Sequence, residues 1–188
     1  VIDIQERLKA GKGPGYERGA KVFNLKQMAA AVQYLQENNL FSYEDLEAKA
    51  WEATDNFHAA AGRLKQVEAG MKRNAALKKA IVDYAKTRPV FEEYKAKKYS
   101  RKYLAEHEAE LAVYRAAQAS MRELLCGAKL PKMDALKAEW RRLASKKKSG
   151  YAEYRAAQKK MREAVTVKAN IDCLLGIADR EKNKEIER

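Results

Sequence analysis

The sequence is poor in the residues that build catalytic and metal-binding sites. It contains only two histidines, His58 and His107, and two cysteines, Cys126 and Cys173, among 188 residues. Neither histidine has a His or Cys three or four positions away, so the spacing of zinc ligands is missing. The cysteines stand far apart, which argues against a disulfide-rich secreted scaffold and predicts free thiols in a reducing cytoplasm.

Motifs for other chemistries are missing as well. The glycines between Gly11 and Gly15 follow no strand pattern, which argues against a phosphate-binding loop, and no carboxylate pair stands out as an acid–base couple. Ten tyrosines are present, but no histidine or metal cluster is available to activate one as a nucleophile. We therefore expect no catalytic residue, no metal and no cofactor in this chain.

Long apolar runs are also missing. No stretch is long and apolar enough to span a bilayer, and the first residues lack the pattern of a signal peptide. These absences predict a cytoplasmic protein with no membrane partner. Because the sequence begins with Val1 rather than Met, we expect it to be a piece of a longer protein.

What the sequence does have is the composition of long helices. Ala, Glu, Lys, Arg and Leu dominate, and there are only three prolines. The decapeptide Tyr-Arg-Ala-Ala-Gln-x-x-Met-Arg-Glu occurs twice, at Tyr114–Glu123 and at Tyr154–Glu163, with Tyr and Met on one helix face. Either similar packing demands or an internal duplication could give this pair, and the unmatched flanking residues favour similar packing demands.

The pattern predicts a linker-like segment at residues 1–19, a helical domain at 20–177 and a charged, frayed tail at 178–188. Helices are predicted at 20–37, from Ser42 to the Thr87-Arg88-Pro89 stop, at 90–98, at 101–126 and at about 132–176. Ser42 and Asp45 resemble a capping box at the start of the second helix. Lys146–Gly150 interrupts the apolar stripe of the last helix, as a bend or as a solvated turn.

The two longest predicted helices carry apolar stripes that neither can bury alone. The stripe of the second helix has coiled-coil spacing and comprises Leu46, Ala50, Ala53, Phe57, Ala60, Leu64, Val67 and Met71. That of the last helix comprises Met133, Leu136, Trp140, Leu143, Tyr154, Met161, Ile171 and Leu174. We predict an all-α fold, an elongated antiparallel long-helix (coiled-coil-like) bundle with shorter flanking helices. Asn74 falls on the seam, where a polar residue can fix register.

Basic residues provide the only candidate binding surface. The net charge is +13, and residues 131–177 hold twelve Lys and Arg against five Asp and Glu, a local charge of +7. One basic cluster lies among tyrosines and comprises Lys95, Lys97, Lys98, Tyr99, Arg101 and Lys102. A second lies on the last helix and comprises Arg141, Arg142, Lys146, Lys147 and Lys148. Such clusters can neutralise phosphates and stack bases, or they can be solvated faces and cations packed around buried tyrosines.

Several strings are familiar in their order along the chain. They begin at Gly15-Tyr16-Glu17-Arg18 and Lys21-Val22-Phe23-Asn24-Leu25-Lys26-Gln27-Met28-Ala29, and continue at Tyr84-Ala85-Lys86-Thr87-Arg88 and Tyr94-Lys95-Ala96. Further strings are Leu104-Ala105-Glu106-His107, Leu130-Pro131-Lys132-Met133 and Tyr151-Ala152-Glu153-Tyr154-Arg155. Over most of residues 1–176 the sequence resembles the helical region C-terminal to the nuclease domain of relaxases, the mobilisation proteins of Firmicutes integrative and conjugative elements.

The resemblance implies a parent protein that nicks one DNA strand at a transfer origin, with an N-terminal tyrosine as nucleophile and a histidine cluster that holds a divalent metal. Neither constellation occurs here, so no catalytic residue carries over. We therefore expect a non-catalytic accessory domain that binds DNA, largely through phosphate contacts, during the mobilisation of a plasmid or element. The alternative is a protein–protein interaction stalk that docks a coupling protein, another mobilisation protein or a second copy of itself.

Overall fold

The fold is all-α, as predicted. A computed structural model describes residues 14–176 and shows five helices and no strand within them. The helices are α1 Pro14–Glu37, α2 Tyr43–Ala96, α3 Arg101–Glu106, α4 Glu108–Leu125 and α5 Met133–Leu174. Most of the predicted linker and the whole predicted tail, 178–188, lie outside the described residues.

The chain divides into two compact units, and α2 and α5 contribute to both. The first unit combines the chain up to Ala61 with the chain from Glu153 onward, and the second is Gly62–Ala152. The stretch predicted as one helical domain, 20–177, therefore contains all of the second unit and part of the first. The candidate basic residues all belong to the second unit.

In the first unit, α2 starts at the predicted capping box. The backbone N–H of Ser42 donates to the Asp45 carboxylate at 3.2 Å, and the backbone N–H of Asp45 donates to Ser42 Oγ at 3.1 Å. Two otherwise unsatisfied backbone donors are thereby paired. One turn later Leu46 is 1% exposed and packs in a cluster with Ala31 of α1 and Val167 of α5.

Small side chains continue this contact along α2. Ala50 and Ala53 are buried with Ala164 of α5, and Ala164 is fully excluded from solvent. The order of the partners is reversed along the two helices, because Val167 contacts the earlier Leu46. The predicted antiparallel pairing of α2 and α5 is thus confirmed in this unit.

In the second unit the same two helices pair in the same sense. A methyl group on Gly70 would lie 3.4 Å from Cδ2 of Leu143, so the helices approach closely there. Asn74 is buried on the seam, as predicted, and its Nδ2 donates to the Leu136 carbonyl of α5 at 3.1 Å. A polar side chain that spans two helices in this way favours one register over its neighbours.

Stacked aromatic rings join α2 to α4 within the second unit. The Phe91 and Tyr114 rings lie 4.2 Å apart and nearly parallel, and Tyr84 stacks on Tyr114 at 5.0 Å. Next to them, Tyr94, Tyr103 and Leu111 form a buried cluster. The tyrosines of this region therefore serve mainly as core residues.

Pro89 does not end the second helix, so the predicted stop at Thr87-Arg88-Pro89 and the separate helix 90–98 are wrong. Pro89 lies inside α2, which continues to Ala96. A proline inside a helix costs about 3 kcal/mol. The burial of Thr87 and Tyr94 on either side of it offsets that cost, and Thr87 Oγ1 also donates to the Asp83 carbonyl at 2.7 Å.

The predicted helix 101–126 is also wrong, because it is broken at His107 into α3 and α4. His107 has φ −123°, and its N–H donates to the Tyr103 carbonyl. Its Nδ1 is buried without a hydrogen bond, 3.7 Å from a Glu110 oxygen. The break falls between two members of one buried cluster, Tyr103 and Leu111, which cross-helix packing holds in place.

The ends and faces of the other helices differ in detail from the prediction. Helix α1 begins at Pro14 instead of residue 20, because proline suits the first position of a helix. Helix α5 runs through Lys146–Gly150 without interruption. Two members of its predicted stripe, Trp140 and Leu174, are 41% and 48% exposed.

Leu46 offers a direct test of the α2–α5 contact. Leu46→Ala should lower the free energy of unfolding by about 2 to 5 kcal/mol, because it leaves a cavity among Ala31 and Val167. The measurement is thermal and urea unfolding followed by circular dichroism. Leu25→Ala is the matched control, since Leu25 is 68% exposed and its loss should cost within about 0.5 kcal/mol. Equal stability of the two variants would contradict the packing described here.

Candidate nucleic-acid interface

The first basic cluster lies on a tight turn between α2 and α3. We call residues 95–102 the basic turn. The Tyr99 N–H donates to the Tyr94 carbonyl and the Lys98 N–H to the Lys95 carbonyl, both at 3.0 Å, which is the bond pattern of a Schellman cap. Lys98 and Tyr99 have φ values of 53° and 62°. This left-handed region usually holds glycine or asparagine, so two successive large side chains there store backbone strain.

The side chains of the basic turn fall into two groups. Lys95, Lys98, Arg101 and Lys102 are exposed, and Tyr99 is 55% exposed although its ring meets Tyr94 edge-on at 5.2 Å. In the residues that the structure describes, none of these four cations forms an ion pair. Four positive charges and one accessible aromatic ring therefore surround a single turn.

Lys97 belongs to the packed tyrosine cluster instead. Its Nζ lies 2.7 Å from a Glu93 carboxylate oxygen and 4.2 Å from the centroid of the Tyr103 ring. The Tyr103 hydroxyl donates to the same carboxylate at 2.9 Å, and the hydrogen bonds from Lys97 and Tyr103 hold the pKa of Glu93 below its usual range. Among the predicted cations of this cluster, Lys97 is thus the one that already has a carboxylate partner in the described residues.

The second cluster lies on α5 and is partly neutralised. Arg142 donates two hydrogen bonds to Glu139, at 2.9 and 2.7 Å, and Lys147 pairs with Glu68 of α2 at 2.8 Å. These bonds lower the pKa of both carboxyl groups. A phosphate would have to compete with an existing carboxylate at both cations.

The other three cations of that cluster are exposed. Between residues 14 and 176, no ion pair involves Arg141, Lys146 or Lys148. The sequence alone could not separate these residues from Lys147, since its partner Glu68 is far away along the chain and is brought close by the α2–α5 pairing. Arg142 differs, because its partner Glu139 lies three residues earlier on the same helix.

A groove beside this cluster was not predicted. We call it the Trp140 groove. It has a volume of about 460 Å³, lies between α2 and α5 within the second unit, and is lined in part by Lys78, Val82, Leu136, Lys137, Trp140 and Arg141. The sequence pattern placed Trp140 in the core stripe. The positions of Lys137 and Arg141 around it were visible in the sequence, whereas the approach of Lys78 needed the tertiary pairing.

In the first unit, Tyr43, Lys168 and Asp172 form a hydrogen-bonded group that joins α2 to α5. The Tyr43 hydroxyl donates to Asp172 at 2.6 Å, and Lys168 Nζ donates to both Tyr43 Oη and Asp172 at 2.9 Å. The bond to Asp172 raises the pKa of Tyr43, and the bonds to Tyr43 and Asp172 raise the pKa of Lys168. A lysine held protonated in this way links α2 to α5 and cannot act as a base at neutral pH.

In the described part of the chain, no three His, Cys, Asp or Glu side chains come together as metal ligands would, and both cysteines are free and exposed. Among residues 14–176, no helix combines the length and the apolar character needed to cross a membrane. The exposed cations of the basic turn and of α5 produce a positive potential, which attracts anions.

Comparison with known proteins adds no relative. No family model, no curated protein and no solved structure matches this chain.

We predict that the chain does not cleave DNA. Incubation with single-stranded DNA of a transfer origin and Mg²⁺ or Mn²⁺ should leave the strand intact, because no clustered ligands or activated tyrosine are present in residues 14–176. The measurement is denaturing gel electrophoresis of an end-labelled strand. Nicking that disappears when one tyrosine is changed to Phe would prove this wrong.

Proposed function

We propose that this chain is a non-catalytic accessory helical domain of a conjugative relaxase, which works in the cytoplasm and binds DNA during mobilisation. The observation that carries DNA binding is the basic turn, where four cations without ion pairs and the ring of Tyr99 are all exposed. The link to relaxases depends on the ordered strings of the sequence, from Gly15-Tyr16-Glu17-Arg18 to Tyr151-Ala152-Glu153-Tyr154-Arg155.

Phosphate neutralisation is the mechanism that these side chains support. Lysine and arginine that meet phosphates release condensed counterions, and this release provides most sequence-independent affinity. The long helices hold the basic turn at the end of a packed tyrosine cluster, so little conformational entropy is lost on binding. A strained turn of bulky residues is also a feature that clusters at functional sites.

A second candidate function has an observation of its own. Helix α1 presents Val22, Leu25 and Val32 to solvent, at 54%, 68% and 52% exposure. The three positions fall on one face of the helix. Such a face favours the protein-interaction stalk, with a coupling protein, a mobilisation protein or a second copy as partner.

Removal of the four cations of the basic turn tests the proposal. We predict that a variant with Lys95, Lys98, Arg101 and Lys102 changed to Ala binds labelled single-stranded DNA more weakly. The slope of log affinity against log salt should fall by about 3, because each single-strand phosphate contact contributes about 0.7. The measurement is fluorescence anisotropy at several salt concentrations.

The matched control removes four charges that are already paired. Lys21, Lys49, Arg88 and Lys159 lie in ion pairs with Glu17, Glu52, Glu92 and Glu163. Their replacement by Ala lowers the net charge by the same four units as the basic-turn variant does. It should leave most of the slope of log affinity against log salt unchanged. Equal losses in both variants would show an effect of net charge alone. No binding by the unaltered chain at low salt would remove the DNA proposal and favour the interaction stalk.

Ion pairing should also divide the cluster on α5. We predict that Lys146→Ala with Lys148→Ala weakens DNA binding more than Arg142→Ala with Lys147→Ala does. Both variants remove two charges, but the second pair is already bound to Glu139 and Glu68. The same anisotropy titration compares them, and the reverse order would contradict this assignment.

A further inference from the structure

The Trp140 groove combines an accessible indole with an apolar floor. Trp140 is 41% exposed although it lies on the stripe that faces α2, and Leu136 beside it is only 6% exposed. Val82 of α2 lines the groove from the facing helix. The volume of the groove, about 460 Å³, falls within the range of roughly 300 to 1,000 Å³ that is typical of ligand pockets. The indole therefore borders a slot that could take a flat, apolar group.

Charge at the rim of the groove limits what this group can be. Two cations pair locally, Lys79 with Asp83 at 2.7 Å and Lys137 with Asp134 at 3.4 Å. Lys78 of α2 and Arg141 of α5 form no ion pair within the described residues. The two helices thus each contribute one cation without a carboxylate partner, so the rim is complementary to an anion.

The polar side chain that lines the groove beside Leu136, Asn74, already makes a hydrogen bond within the protein. Asn74 Nδ2 donates to the Leu136 carbonyl, so this amide group is engaged in holding the helices together. A ligand would meet the indole face and the aliphatic parts of lysine and arginine rather than a set of directed hydrogen bonds. Stacking on an aromatic ring tolerates every base, since each base has a π-face.

We propose that the Trp140 groove binds an unpaired base of single-stranded nucleic acid, with the flanking phosphates on Lys78 and Arg141. The inference deepens the proposed function and rests on it, because it specifies the strand state that the DNA-binding domain selects. Bases of a duplex are stacked on each other and cannot reach the indole. The groove therefore favours single strands, whereas phosphate contacts alone do not.

Tryptophan fluorescence can report on the groove directly, because the chain has two tryptophans. Trp51→Phe leaves Trp140 as the only indole, and its emission should be quenched by a ten-residue oligothymidylate at low salt. Trp140→Phe leaves Trp51, which is 64% exposed in the first unit and serves as the control. Its emission should not respond to the oligonucleotide.

Anisotropy then measures what the ring contributes. Trp140→Leu keeps an apolar side chain but should weaken binding of labelled oligothymidylate by about 5- to 150-fold, the range that loss of one base stack gives. Duplex affinity should stay the same, and Trp140→Phe should restore part of the single-strand affinity. Circular dichroism of each variant checks that the helices are intact.

The outcomes separate this inference from the proposed function. Salt-dependent binding without quenching of Trp140, and without an effect of Trp140→Leu, would overturn the inference and leave the basic turn as the contact. Binding of duplex but not of oligothymidylate by the unaltered chain would overturn the inference alone, and binding of neither would overturn both. Quenching by an acidic helical peptide but not by oligothymidylate would assign the groove to a protein partner and also overturn the inference.

Discussion

The packing of α2 against α5 is the contact on which the rest of the structure depends. Both helices are too polar on most faces to be stable by themselves, since a helix in a protein gains most of its stability from a packed apolar face. Small residues make the contact close, with Ala50, Ala53 and Ala164 buried in the first unit and Gly70 against Leu143 in the second. Within each unit the two helices run antiparallel.

The same contact decides which charges remain available. It brings Glu68 to Lys147 and thereby neutralises one candidate cation, while Lys146 and Lys148 stay in solvent. It also places Lys78 of α2 along the groove that Trp140 borders. The Trp140 groove and the charge pattern of α5 are thus consequences of helix pairing, because they combine residues that lie far apart in the sequence.

Sequence reasoning recovered the features that short-range periodicity and capping determine. The seam that begins at Leu46 is buried at four of its first five positions, the Ser42–Asp45 capping box forms, and Asn74 lies on the seam. Each of these follows from the spacing of residues within a few helical turns. The predictions that were wrong concern places where tertiary contacts override the local preference of the backbone.

Pro89 and the basic turn show this override most clearly. Local rules end a helix before Pro89, but Thr87 and Tyr94 are buried on both sides of it, so α2 continues. Lys98 and Tyr99 are not residues that a sequence reader would place in the left-handed region. The turn that they form lies between Tyr94 and Tyr103, whose rings stack 6.2 Å apart.

The candidate site was therefore predictable in composition but not in geometry. A count of Lys and Arg treats all cations alike, whereas phosphate binding depends on those that have no carboxylate partner. Lys97 looked equivalent to Lys98, yet Glu93 and the Tyr103 ring hold it within the tyrosine cluster.

Trp140 looked like a core residue because its spacing fits the stripe, yet α2 presents Lys78 and Val82 at that point and leaves the indole accessible. An accessible aromatic ring beside cations without carboxylate partners is a combination that single-strand-binding proteins use. Here it results from the way α2 and α5 meet around Trp140.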